Sequence, residues 1–145
     1  MGVSSRTAAA VHALTFLAHR HAEGLQSSAT IAESLESNPV VVRRVLGLLR
    51  EAGIVTATEG AGGGWRLARP ADSITLLDVF TSVEDDTPVL PTHAHPPSRS
   101  CVIGRHMESY LAEEFAAAQR ALADRLATRT IADTLREVRR REAAS

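Results

Sequence analysis

The sequence predicts a mainly α-helical chain with one small β-hairpin, and three observations carry that prediction. Apolar residues recur at three- and four-residue spacing through much of the 145 residues. Aromatic residues make up only 3% of the chain, so a core drawn from the 44% hydrophobic fraction must be built from Ala, Leu, Val and Ile. One glycine-rich stretch, Gly60-Ala61-Gly62-Gly63-Gly64, separates two short runs of strand character. The length suits one small globular unit with an extended element.

Taken in order, a first helix runs from about 5 to 21 with Ala10, Val11, Leu14, Leu17 and Ala18 on one stripe, and Glu23 and Gly24 end it. Ser28 caps a short second helix through Leu35, with Ile31, Ala32 and Leu35 inward. Ser37, Asn38 and Pro39 break that helix and start a third. Asn38 is its N-cap, and Pro39 sits at the first helical position, where a missing N–H costs nothing. Val42, Val45, Leu46, Leu49 and Ala52 form the buried stripe of this third helix, and Gly53 closes it. Two helices joined by so tight a turn make a helix-turn-helix unit. The strands at 54–58 and 65–68, joined by the glycine turn, follow directly and make a wing.

Thr75 caps a fourth helix with Asp78 in capping-box position and Leu76, Leu77, Val79, Phe80 and Val83 as its apolar content; Asp85 and Asp86 end it. Residues 87–100 hold four of the six prolines and read as a loop. A long helix starts near Cys101 or Gly104, with Met107, Leu111, Phe115, Ala118, Leu122 and Leu126 on one stripe. One small winged helix cannot bury all of that stripe, so a second copy is expected to cover it. Thr130 and Asp133 cap a last helix ending in Arg139, Arg140 and Arg141, read as a frayed, solvated end. The organisation is therefore a winged helix-turn-helix over 1–86, a Pro- and His-containing loop over 87–100, and a helical dimerisation region over 101–145.

Composition removes several classes. No apolar run approaches the roughly 20 residues of a membrane span, and the first residues lack the layout of a signal peptide, so a cytoplasmic protein is expected. Cys101 stands alone and cannot form an intramolecular disulfide. All 16 basic residues are Arg, and the net charge is -1. Any surface for nucleic acid must then be made by position rather than bulk charge.

The stretches Ile31-Ala32-Glu33-Ser34-Leu35, Val41-Val42-Arg43-Arg44-Val45-Leu46 and Leu49-Arg50-Glu51-Ala52-Gly53-Ile54-Val55 resemble the Rrf2 family of bacterial transcriptional regulators. The likeness continues in Gly60-Ala61-Gly62-Gly63-Gly64-Trp65-Arg66-Leu67-Ala68 and Ile74-Thr75-Leu76-Leu77-Asp78-Val79, and resumes around Cys101. The resemblance implies a homodimer whose long C-terminal helices cross at the interface, and signal-controlled repression or activation. Many members hold an iron–sulfur cluster through three cysteines after the fourth helix; this chain has Cys101 alone there. The family's basic residue before the first wing glycine is here Glu59.

A recognition helix turns the residues off its buried stripe toward the major groove of double-stranded DNA. That outward set is Asn38, Pro39, Val40, Val41, Arg43 and Arg44. Either arginine can contact guanine or phosphate, and the valine methyls suit a thymine methyl. Ser28 and Thr30 stand where the second helix begins and can hold a phosphate. Gly62 and Gly63 allow close approach of the wing, to which Arg66 adds a cation; Arg69 is equally suited to solvent. The expected function is a sequence-specific regulator, a repressor, binding a palindromic operator as a homodimer. The alternative is a winged helix that serves a protein partner and does not bind DNA.

Cys101 at a helix start is a candidate redox sensor, or else a buried inert thiol. No cofactor is expected. Zinc or an iron–sulfur cluster on His93, His95, Cys101 and His106, with His12 as a remote extra ligand, is the minor alternative. An enzyme built on Cys101 and His106 is disfavoured, because five residues along a helix set them on different faces and no third group orients them.

Overall fold

The computed structural model describes residues 4–145 as six α-helices and one two-stranded antiparallel sheet. The helices are α1 (Arg6–His19), α2 (Ser28–Leu35), α3 (Pro39–Glu51), α4 (Leu76–Val83), α5 (Val102–Ala127) and α6 (Ile131–Ala144); β1 (Val55–Thr58) and β2 (Gly64–Leu67) form the hairpin. The predicted fold class stands. The first helix is shorter than expected: it ends at His19, and a 3-10 turn at His21–Glu23 carries the chain to Gly24.

The core is the meeting of α1, α2, α3, α4 and the hairpin. Leu14, Ile31, Leu46, Leu49, Ile54, Ile74 and Val79 are all sealed from solvent. Ala52, expected on the stripe of α3, is exposed, because the helix ends there and the chain turns outward through Gly53. Ile131 of α6 joins this core at 0% exposure, and its N–H donates to the carbonyl of Ile74 at 2.9 Å.

Local chemistry sets the helix starts. Thr75 and Thr130 each close a reciprocal capping box, with Asp78 and Asp133 returning the bond to the cap backbone. The N–H of Thr130, first, and its hydroxyl hold the Asp133 carboxyl below the usual carboxylate range. Asn38 Oδ1 accepts from the N–H of Val40 at 2.8 Å with Pro39 in the first turn. At α2 the cap is Ser27, not Ser28. Ser27 has the extended backbone a cap needs, and its hydroxyl accepts from Thr30 N–H at 3.1 Å, while Ser28 already lies inside the helix. Glu36 ends α2 in the left-handed conformation at φ 49°, a non-glycine turn residue that sequence patterning did not single out.

The arginine run is exposed, as expected, but the last helix does not fray there. It continues to Ala144 and packs along α1, so the 101–145 segment divides between a projecting α5 and an α6 folded back on the winged helix. Arg140 and Arg141 both bond Glu137, which holds its carboxyl down to about 2. None of the 26 residues of α5 is buried. The loop before it is strapped to its first turn: a Cβ on Gly104 would lie 2.0 Å from the carbonyl oxygen of Ser98, so only glycine lets that backbone pass.

Candidate nucleic-acid interface

Half of α3 faces the core through Val42, Val45, Leu46 and Leu49, and the other half faces outward. On that outer side Val40 and Val41 are 52% and 44% exposed, large apolar side chains left in solvent beside the exposed Arg43 and Arg44. Among the described residues neither arginine makes an ion pair or a side-chain hydrogen bond within the chain. Asn38 and Pro39 begin this surface, both exposed.

The hairpin lies beside it. Val55 pairs with Leu67, Thr56 with Arg66, Ala57 with Trp65 and Thr58 with Gly64. A third extended piece, Gln26, adds to the other edge of β2: its N–H donates to the carbonyl of Trp65 at 3.0 Å, and Trp65 N–H returns a 2.8 Å bond. This ties the wing to the approach to α2. Gly63 is required at the turn, because a Cβ there would stand 2.1 Å from the carbonyl oxygen of Thr58. Gly62 beside it has φ 77°.

Ser28 and Thr30 sit at the start of α2, half-buried. Ser28 Oγ accepts from the indole Nε1 of Trp65 at 3.0 Å, which leaves its own O–H free to donate outward. Trp65 is thus a packing and positioning residue at the joint of wing and helix. Arg66 points outward from β2, exposed and unpaired among the described residues. Arg69 is held inside the chain, 3.6 Å from Asp78 and donating to the carbonyl of Ser73 at 3.2 Å. Glu59 on the wing reaches Arg50 near the end of α3 at 3.8 Å, joining wing to recognition helix; the pairing of these two could not be read from their spacing.

At the other end of the chain, Cys101 is the N-cap of α5 and is exposed rather than buried. The backbone N–H groups of Gly104, first, and Ile103 favour its thiolate and lower its pKa from the ordinary thiol value. His93, His95 and His106 are exposed on the loop and the first turns of α5, and His12 is engaged by Ser34 Oγ at 2.8 Å. No helix of the described residues is long and apolar enough to cross a membrane.

Residues 3–137 match the Rrf2 family, described as iron-dependent transcriptional regulators. The chain is 35% identical over 133 residues to YwnA of Bacillus subtilis (strain 168), provisionally named an HTH-type transcriptional regulator. The match covers 92% of this chain and 96% of that protein. Two solved structures share the fold. The IscR of T. potens superposes with a TM-score of 0.72 at 24% identity, over 95% of this chain and 88% of that one. CymR (YrzC), the global cysteine regulator of B. subtilis, gives 0.70 at 22%, over 94% and 98%. The iron in the family's description finds no ligand set here: Cys101 is the one cysteine, and among the described residues no three His, Cys, Asp or Glu side chains gather where they could hold a metal ion. An enzyme built on Cys101 and His106 is set aside, since the relatives are regulators. The family match spans the winged helix and the long helix and reaches into the helix after it, and the chain belongs to the Rrf2 family of transcriptional regulators.

Proposed function

We propose that this regulator binds a palindromic DNA operator as a homodimer, represses from it, and does so in the cytoplasm. The observation that carries the reading is the outer face of α3. Exposing Val40 and Val41 to water costs free energy that contact with thymine methyls would recover, and two unpaired guanidiniums stand beside them. Arg43 and Arg44 serve guanine or phosphate; Ser28, Thr30, Gly62, Gly63 and Arg66 hold the flanking phosphates. Glu59 is repelled by phosphate, and its pairing with Arg50 limits that repulsion while drawing the wing toward α3.

One such module reads few base pairs, so two are needed, with half-sites about one helical turn apart. A helix of 26 residues spans about 39 Å, and α5 offers Met107, Leu111, Phe115, Leu122 and Leu126 only half-buried along that length. Its symmetric mate in a second copy is the natural cover. Cys101, exposed at the start of the same helix, is an oxidisable thiol whose ionisation the helix start favours, and its modification would disturb that contact, which supports a redox response.

The test is to capture sheared genomic DNA with the purified, reduced protein and sequence what is retained. Enrichment of one palindromic motif is expected. Absence of any enriched motif, with no salt-dependent duplex binding, would assign the α3 face to a protein partner instead.

A further inference from the structure

The tip of the wing is almost bare of side chains. From Gly60 to Gly64 the chain offers a single methyl, that of Ala61, and the turn closes through Gly63 N–H donating to the carbonyl of Gly60 at 3.0 Å. The functional groups next to this tip are the exposed Thr58 and Glu59, and the Glu59 side chain is 89% exposed. Arg50, its ion-pair partner, lies 3.8 Å away and is itself largely exposed. Among the described residues neither oxygen of Glu59 accepts a hydrogen bond. An exposed pair of this kind binds weakly, so the carboxylate keeps its accepting capacity. Arg66, the cation of the wing, stands back from the tip on β2, opposite Thr56.

We propose that Glu59 makes the wing a reader of guanine in the minor groove, so that each half-site of the operator carries a G·C pair under the wing in place of an A·T tract. The inference rests on the DNA-binding reading above and names the sequence that the wing selects. A carboxylate accepts hydrogen bonds and donates none. In the minor groove A·T and T·A pairs present acceptors alone, and the one donor is the N2 amino group of guanine. Glu59 therefore meets repulsion over A·T and a partner over G·C. The groove potential acts in the same direction. A-tracts narrow the minor groove and deepen its negative potential, which suits an inserted arginine and opposes a carboxylate.

The fold gives the wing the reach this needs. With the outer face of α3 in a major groove, the hairpin beside it falls over the adjoining backbone and minor groove, and a glycine turn has no side chain to hold it off. The Trp65–Ser28 bond and the paired backbone of Gln26 and Trp65 fix the hairpin to the helix-turn-helix, so the tip is delivered at a set distance from the recognition helix. Arg50, near the end of α3, offsets the charge of Glu59 toward the phosphates on either side of the groove. The pair thus meets less repulsion than a lone carboxylate would, while the Glu59 oxygens stay open to the guanine amino group.

The experiment uses the full, reduced chain and the operator captured from genomic DNA, with inosine replacing each guanine in turn and binding followed by fluorescence anisotropy. Inosine lacks the N2 amino group alone and keeps the major-groove face of guanine, so the contacts of α3 are untouched. For the wild type, inosine at one or two positions of each half-site should weaken binding about tenfold, and A·T there should do the same. Glu59→Ala should bind the substituted and unsubstituted duplexes alike; its fold should be unchanged, because the side chain is exposed and lies outside the core. Glu59→Gln, with a donor as well as an acceptor, should recover A·T without losing G·C. Specific binding by the wild type that ignores inosine at every position, a preference for A·T under the wing, or sensitivity to inosine that survives in Glu59→Ala would each overturn the role of Glu59 and leave the DNA-binding reading intact. Failure to bind any duplex in a salt-dependent manner would overturn that reading and this one together.

Discussion

Trp65 Nε1 donates to Ser28 Oγ across 3.0 Å, joining the second strand of the wing to the first turn of α2. The bond bridges 37 residues of sequence and works beside the paired backbone of Gln26 and Trp65, so wing and helix-turn-helix share one frame. Trp65→Phe keeps an aromatic ring and removes the donor. A loss of about 1 kcal/mol is expected, seen as a melting temperature a few degrees lower, with Ser28→Ala costing no more. In a double-mutant cycle the two losses should fail to add. Full additivity would mean that the indole N–H is equally well satisfied by water.

Arg43→Ala and Arg44→Ala leave the fold untouched, because both side chains are exposed and unpaired. If the arginine reads a base, its removal should cost about 1–3 kcal/mol of operator binding and relax preference at one position. If it holds a phosphate, its removal should weaken all sequences alike and reduce the salt slope by about one. Fluorescence anisotropy at several salt concentrations separates the two. Unchanged affinity in both variants would show that the reading face lies elsewhere.

Gly63→Ala attacks the wing alone. The new methyl would fall 2.1 Å from the carbonyl oxygen of Thr58, a backbone group within the same hairpin that cannot step aside, so the turn must reopen. We expect operator binding to fall while the helical circular dichroism persists, because no residue of the turn belongs to the hydrophobic core. Wild-type binding by this variant would remove the wing from the interface.

Much of this architecture was legible because it rests on short-range chemistry. Asn38-Pro39 and the two Thr-x-x-Asp boxes each bond within one turn, so spacing alone locates α3, α4 and α6. What the sequence hid depends on distant partners. Two adjacent serines precede α2, and Ser27 holds the cap while Ser28 is taken up by Trp65. The arginine run that ends the last helix is exposed as its composition suggests, but nothing local shows that Ile131 anchors this helix against Ile74 and that its length follows α1. The recognition face was readable from the period of α3; the Glu59–Arg50 pair across the hairpin was not, since nothing local brings them together.

Leu111→Glu and Phe115→Glu test the second copy. Both positions are half-buried on α5. A charge placed at an apolar contact between two helices is costly unless it finds a partner, so each variant should sediment as a monomer with helix content preserved. Glu114→Ala, on an exposed position of the same helix, should remain dimeric. A monomeric wild type, or dimers unaffected by both charges, would refute the α5 interface.

Cys101 gives a prediction whose sign follows from its position. The N–H groups of Gly104 and Ile103 favour the thiolate, so its folded pKa lies below the ordinary value, while the unfolded chain has no such donors. The folded state therefore binds fewer protons than the unfolded one across the interval between the two values. The associated stabilisation is present above the unfolded pKa and fades as pH falls through the folded one. Because the side chain is exposed, the effect on overall stability is too weak to follow directly, but the thiolate fraction reads it well. The rate of alkylation by iodoacetamide, followed against pH, should reach its midpoint at a lower pH in the native protein than in denaturant. A native midpoint at or above the denatured one would mean that the start of α5 does not hold the thiolate, and would remove the physical basis for a redox response through Cys101.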